Sequence, residues 1–138
     1  MAFSDNPLFD QLVDAAVLDQ PAATQLLQAH PELLMMTNRL GETVLHFLAV
    51  EDYADAVAFL ARQGAPVNTH NDAQRTPLME AAMVGASQVV RVLLTYGADP
   101  SIQTVDGDTV WDLLAPERSA ELLEILYGHG FIPPQQSA

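Results

Sequence analysis

Histidine and serine side chains could support nucleophilic or metal chemistry, and their spacing in this chain tests that idea. A zinc site needs histidine, cysteine or acidic ligands a few residues apart, yet no two of the four histidines have such a spacing and there is no cysteine. Ser87, Ser101 or Ser119 could act as a nucleophile only beside a histidine base that a third group orients. The pattern contains no such triad, so we expect no catalytic residue and no metal.

A short acidic turn, Asp106-Gly107-Asp108-Thr109, carries the other pattern that could bind an ion. Calcium hand loops need further oxygen ligands and a closing glutamate, which this segment lacks. Asp-Gly is also a preferred pair in tight turns, and the threonine after it is a good helix cap. A phosphate-binding glycine loop is absent from the sequence as well. We therefore expect a structural turn and no cofactor.

The sequence contains a repeat with a period of 33 residues. Thr43, Thr76 and Thr109 are each 33 positions apart. Five further columns keep this spacing: Leu45, Leu78 and Trp111; Ala49, Ala82 and Ala115; Val57, Val90 and Leu123; Leu60, Leu93 and Leu126; and Gly64, Gly97 and Gly130. A fixed period of this length is typical of repeat proteins, in which each unit is one supersecondary element.

The residue pattern of each unit predicts two short helices. In the middle unit Thr76 is placed to cap a helix over residues 77–84, and Gly85 ends it. The second helix, over residues 87–96, has apolar residues at three- and four-residue spacing, and Gly97 stops it. Isolated helices under about 12 residues are marginal in water, so stacking between units must form the core.

The sequence resembles the ankyrin repeat family at the residues that carry this pattern. They are Thr76-Pro77-Leu78, Ala81-Ala82, Gly85, Val89-Val90, Leu93-Leu94 and Gly97-Ala98-Asp99-Pro100 in one unit, and Gly41, Thr43, Leu45-His46, Ala49, Leu60, Gly64-Ala65 and Val67-Asn68 in the unit before it. The resemblance spans about residues 38–131. It implies a non-catalytic, all-α, helix-turn-helix solenoid that binds another protein. It also implies that His46 hydrogen-bonds the backbone of a neighbouring turn.

About four repeats with degenerate end caps are expected in one domain over residues 1–138. The predicted boundaries are 6–37 for the amino-terminal cap, 38–70, 71–103, and 104–131 for the carboxy-terminal cap, with a tail over 132–138. In the first cap we expect Leu8, Leu12 and Val13 to face inward and Asp10, Asp14 and Asp19 to face solvent. In the last cap Trp111 and Asp112 depart from the pattern, and Pro116 is expected to truncate the first helix.

The charge is strongly negative. Eighteen acidic residues stand against five arginines, which gives a net charge of −13 and disfavours a nucleic acid or an anionic membrane as partner. A basic or neutral protein is favoured, although the acidity could simply keep the chain soluble. Residues Met1–Asp10 show no secretory signal, and no run of about 18 apolar residues is present. We expect a cytoplasmic protein.

The family resemblance implies that a partner lies on the concave surface formed by the turn tips and the exposed side of the first helices. The tips would contribute Arg39, Leu40, Glu42, Asp72, Arg75, Asp106 and Asp108, and the exposed ends of the first helices would contribute Val50, Glu51, Met83, Val84 and Glu117. Exposed apolar members of this set favour a binding face. The alternative is that Val50 and Val84 pack on a neighbouring helix.

Generic protein binding is the leading function on this basis. The acidity motivates a second, an immunity-type inhibitor that covers the basic active site of a toxin such as a nuclease. A third class, an enzyme or metal protein built on Asp106, Asp108, Asp112 and His129, is kept as an alternative. Atypical end repeats predict a monomer, although Phe131 and Ile132 could form a weak dimer contact.

Overall fold

Seven α-helices build the part of the chain that the computed structural model describes, residues 5–134. They are α1 (Pro7–Leu18), α2 (Gln20–Ala29), α3 (Val44–Ala49), α4 (Ala54–Arg62), α5 (Pro77–Val84), α6 (Ser87–Thr95) and α7 (Ser119–Gly128), with short 3₁₀ helices at Pro31–Leu34, Val110–Asp112 and Pro116–Arg118. No strand occurs within these described residues. The predicted all-α helix-turn-helix solenoid is confirmed.

Threonines start the first helices of the two central repeats, as predicted. The Thr76 hydroxyl accepts a hydrogen bond from the Met79 amide at 3.3 Å, and Pro77 takes the first helical position, where its missing N–H costs nothing. Helix α5 has its predicted bounds, and Gly85 ends it with φ of 75°. Helix α6 ends at Thr95, one residue earlier than predicted.

The helices stack in two layers. First helices α1, α3 and α5 pack side by side, and second helices α4, α6 and α7 pack side by side behind them. Ala81 and Ala82 are fully buried, and such small side chains allow neighbouring units to approach closely. One continuous core results, with Leu12, Leu45 and Leu78 from the first layer and Leu93 from the second.

The amino-terminal unit differs in its buried residues from the set expected to face inward. Leu12 and Val13 are buried as predicted, whereas Leu8 is only partly buried. Phe9 is fully buried and packs edge-on against Phe47 with ring centroids 6.3 Å apart. Its signal was the spacing of three, four and seven residues to Leu12, Val13 and Ala16, which places all four on one helix face.

Two of the three acidic residues that were predicted to face solvent in that unit are exposed. Asp14 and Asp19 are exposed, while Asp10 is partly buried. Asp19 also accepts a hydrogen bond from the Ala22 amide at 3.2 Å and so caps α2. The acids of this outer surface therefore keep it polar and one of them starts a helix.

Pro116 was expected to truncate the first helix of the last unit, and no α-helix forms there. Two short 3₁₀ helices replace it, and the Ala115 amide donates a hydrogen bond to the Ala82 carbonyl at 2.9 Å, which ties this segment to the end of α5. Trp111 lies against Tyr127 with ring centroids 5.9 Å apart. Part of the predicted tail, residues 135–138, lies outside the described residues.

Candidate protein-binding surface

Each turn tip is built around one polar side chain, at Asn38, Asn71 and Thr104. Its oxygen accepts hydrogen bonds from amides across the turn: Asn38 from Leu40 and Glu42, Asn71 from Ala73 and Arg75, and Thr104 from Asp108, all between 2.9 and 3.2 Å. Asparagine and threonine stabilise turns in this way. The sequence reasoning missed these residues, although they keep the 33-residue spacing.

The first two tips are joined by their backbones. The Asp72 amide donates a hydrogen bond to the Leu40 carbonyl at 2.9 Å. Between these tips lies an open groove with a volume of about 520 Å³. Its walls are formed by Leu40, Glu42, Asn71, Asp72, Ala73, Arg75 and Glu80, and we call it the tip groove. Four of the predicted contact residues therefore share one surface.

Glu80 is a third acidic residue in the wall of the tip groove, and the sequence reasoning did not single it out. Its Oε1 atom accepts a hydrogen bond from Asn71 Nδ2 at 2.9 Å and lies 3.9 Å from Arg75 Nη1. The Arg75 side chain is 37% exposed, and the Glu80 carboxylate beside it partly neutralises its charge. Glu42 and Asp72 remain as additional carboxylates, so the groove is acidic overall.

His46 has the predicted structural role, which is confirmed by its contacts. It is fully buried, and its Nε2 atom lies 2.9 Å from the Arg75 carbonyl oxygen at the base of the second tip. Its Nδ1 atom accepts a hydrogen bond from the Thr43 amide at 3.2 Å, so the proton is on Nε2 and is donated to Arg75. Burial lowers the pKa of His46 below its ordinary value.

Arg39 lies in different surroundings from the tip groove. Its Nη2 atom donates to Asp5 Oδ1 at 2.8 Å, and this hydrogen bond lowers the pKa of the Asp5 carboxyl. The pair borders a separate cavity of about 430 Å³ that also includes Met36. Arg39 is therefore engaged within the chain, although both side chains are exposed.

The other predicted contact residues lie away from the groove. Val50, Glu51, Met83 and Val84 are at the carboxy ends of first helices, and the eight residues of α5, which lie between Arg75 and the end at Val84, span roughly 12 Å at 1.5 Å per residue. Val84 is 54% exposed, so it does not simply pack on a neighbour, while Val50 and Met83 are partly buried. Exposed Asp106, half-buried Asp108 and exposed Glu117 belong to the last unit.

The residues of the enzyme or metal alternative have local structural contacts. Asp112 Oδ2 accepts a hydrogen bond from the Thr109 amide at 2.9 Å, which makes a reciprocal helix cap. His129 Nδ1 lies 2.9 Å from the Ile125 carbonyl oxygen. Within residues 5–134 no group of three or more histidine and acidic side chains could hold a metal ion. Nor is any helix in that range both long and apolar enough to cross a membrane.

Comparison with known proteins agrees with this architecture. The family model for ankyrin repeats in three copies matches residues 12–104. The match ends at the start of the last unit, which lacks a first α-helix. Ankyrin repeats are generally non-catalytic modules for protein–protein interaction.

Three relatives illustrate the range of proteins that contain such repeats. A putative ankyrin repeat-containing protein of Treponema pallidum (strain Nichols) is 35% identical over 67% of this chain and 32% of its own length. Protein phosphatase 1 regulatory subunit 27 of Homo sapiens is 32% identical over 64% of this chain and 56% of its own. Human inversin is 29% identical over 91% of this chain, which is 12% of inversin. The chain belongs to the ankyrin repeat family.

Proposed function

We propose that this protein binds a protein partner, without catalysis, on the concave face formed by the turn tips and first helices. The observation that carries this proposal is the tip groove, in which the Asp72–Leu40 hydrogen bond holds two tips as one surface. Leu40 is 63% exposed beside the groove carboxylates. An apolar side chain within a charged rim is typical of protein interfaces.

The charge of the face favours a basic or neutral partner. Glu42, Asp72 and Glu80 outnumber Arg75 in the groove, and the whole chain has a net charge of −13. Opposite charge on the partner would steer the encounter and raise the association rate. The same charge disfavours nucleic acids and anionic membranes. The proposal includes a monomeric protein that acts in the cytoplasm.

A pull-down from the lysate of the native host tests the face. The variant Leu40→Ala, Met83→Ala, Asp108→Lys changes three predicted contact residues. A matched control, Ile132→Ala, Met35→Ala, Glu124→Lys, makes the same kinds of change at exposed residues outside the predicted set. We expect a partner that the wild type and the control capture and the first variant loses. Equal capture by all three would place the interface elsewhere.

The acidity also supports a second candidate, an immunity-type inhibitor that covers the basic active site of a toxin or nuclease. Exposed charge pairs are screened by salt, so binding to a cationic enzyme should weaken steeply between about 50 and 500 mM salt. Inhibition of the enzyme should decline in parallel. Binding that does not depend on salt would reject this candidate and leave generic protein binding in place.

A further inference from the structure

A third cavity lies at the opposite end of the helices from the tips, where the turn between α3 and α4 meets α1 and α6. It has a volume of about 300 Å³. Its lining is formed by Val17, Asp52, Tyr53, Asp55 and Gln88 together with two alanines of α4, and we call it the turn cavity. This lining has apolar, aromatic and acidic parts but no basic residue, whereas the tip groove contains Arg75.

The turn cavity depends on side chains that the next repeat lacks. One period after Asp52 and Tyr53 the sequence has Gly85 and Ala86. Ala86 is 4% exposed, whereas Tyr53 is 45% exposed. Alanine therefore satisfies the fold at this position, and the exposed aromatic ring of Tyr53 is not required for stacking of the repeats.

The carboxylates of the turn cavity have free acceptor capacity. Asp52 Oδ1 accepts a hydrogen bond from the Val89 amide at 3.2 Å. Among the described residues, Asp52 Oδ2 and the Asp55 carboxylate accept no hydrogen bond. The amino ends of α4 and α6 are also close, and each is equivalent to about half a positive charge. The two carboxylates outweigh the two helix ends by about one negative charge, so the cavity favours a cation.

We propose that the turn cavity binds an arginine side chain of a protein partner. A guanidinium group is planar, weakly hydrated and able to stack on an aromatic ring while it donates two hydrogen bonds to a carboxylate. Tyr53 offers the ring, Asp55 and Asp52 offer the acceptors, and Val17 offers an apolar contact for the methylene chain. The cavity volume of about 300 Å³ lies at the lower end of the range of about 300–1,000 Å³ for small-molecule pockets, which suits a group as small as one side chain. The site is separate from the tip groove.

Amide NMR spectra recorded during titration with N-acetyl-arginine amide test this inference. We expect saturating shifts at the amides of Tyr53, Asp55 and Gln88. Tyr53→Ala should weaken binding about two- to fivefold, since a cation over an exposed ring contributes about 0.5–1 kcal/mol. Tyr53→Phe should retain binding because it keeps the ring. N-acetyl-lysine amide should bind more weakly because an ammonium cannot donate the paired hydrogen bonds.

Asp55→Asn tests the charge, and Asp106→Asn is its matched control. Both residues are exposed acids, but Asp106 lies on the third tip. We expect weaker binding only for Asp55→Asn. The inference is overturned if the amides named above show no saturating shift, if Tyr53→Ala binds as well as wild type, or if the lysine compound binds equally. Shifts confined to Glu42 and Asp72 would likewise overturn it and leave the proposed concave face intact.

Discussion

At the scale of single residues, three tip positions share a backbone conformation but differ in their surroundings. Gly41, Gln74 and Gly107 occupy equivalent places in the three tips with φ of 73°, 63° and 85°. A Cβ atom on Gly41 would lie 2.9 Å from the Asp72 amide nitrogen, whereas nothing lies within 4 Å of one on Gly107. The first glycine thus allows two tips to approach, and the last only allows a turn.

Alanine at these two glycines separates the two effects. Gly107→Ala should lower the free energy of unfolding by about 1–2 kcal/mol, the cost of a left-handed backbone for a residue with a Cβ. Gly41→Ala should cost about 1–3 kcal/mol more, because the added atom presses on the Asp72 backbone. Urea unfolding curves measure both. Equal losses would mean that the tips separate without cost.

Protonation of His46 opposes folding. In the folded chain Nδ1 accepts the Thr43 amide hydrogen, so a proton there would face another donor. Burial is the largest influence and lowers the pKa of His46, as does nearby His70. The hydrogen bond to the Arg75 carbonyl and the charges of Glu42 and Glu80 oppose this shift. Near and below the ordinary pKa of 6.5 the unfolded chain therefore binds more protons than the folded one.

The free energy of unfolding should consequently fall as the pH is lowered from about 7 to 5, by at most about 1.4 kcal/mol per pH unit for this one group. His46→Gln should lower the stability at pH 7 and flatten this dependence. Urea unfolding at several pH values provides the measurement, with His129→Gln as the control because His129 is not among the groups that shift the pKa of His46. A slope that survives in His46→Gln would assign it to other groups.

At the scale of elements, α6 takes its cap from the preceding repeat. Its own preceding residue, Ala86, has no side chain that could cap it, and Asp52 Oδ1 accepts the Val89 amide hydrogen instead. Asp52 has φ of 57° at the position where the next repeat has Gly85. Aspartate tolerates this conformation better than most residues, so one residue both forms the turn after α3 and caps the start of α6.

Two substitutions distinguish these roles of Asp52. Asp52→Gly removes the cap but suits the backbone, and should lower the free energy of unfolding by about 0.5–2 kcal/mol. Asp52→Ala removes the cap and adds backbone strain, so it should cost about 1–2 kcal/mol more. Thermal and urea unfolding provide the comparison. If Asp52→Gly were as stable as wild type, the Asp52–Val89 hydrogen bond would contribute nothing.

At the scale of the whole molecule, negative charges repel one another. The net charge is −13, while the ion pairs Arg39–Asp5 and Arg118–Glu121 are exposed. Exposed pairs contribute about 0–1 kcal/mol each, and excess charge of one sign destabilises a compact state. Repulsion should therefore outweigh the pairs, and salt should screen mainly the repulsion.

The melting temperature should accordingly rise as NaCl increases from about 10 to 200 mM. Calorimetry or circular dichroism provides the measurement. Glu117→Lys combined with Glu124→Lys replaces two exposed acids with bases, and should melt higher at low salt and respond less to NaCl. A melting temperature that falls with added salt would show that the ion pairs matter more than the net charge.

The features that could be predicted from the sequence are those that depend on residues close together along the chain. Helix starts at Thr43 and Thr76, the stop at Gly85 and the truncation at Pro116 depend on residues within a few positions of each other, so the sequence revealed them. The 33-residue spacing then determined which helices repeat. Phe9 was also within reach of the same apolar periodicity.

Contacts between repeats could not be predicted from these local patterns. The Asp72–Leu40 hydrogen bond, the place of Glu80 beside Arg75 and the cavity around Tyr53 each depend on how one repeat lies on its neighbour. The sequence by itself determined the helical repeats, because capping and apolar spacing act locally. Only the tertiary structure decided which charged and exposed side chains meet, because stacking sets the distances between units.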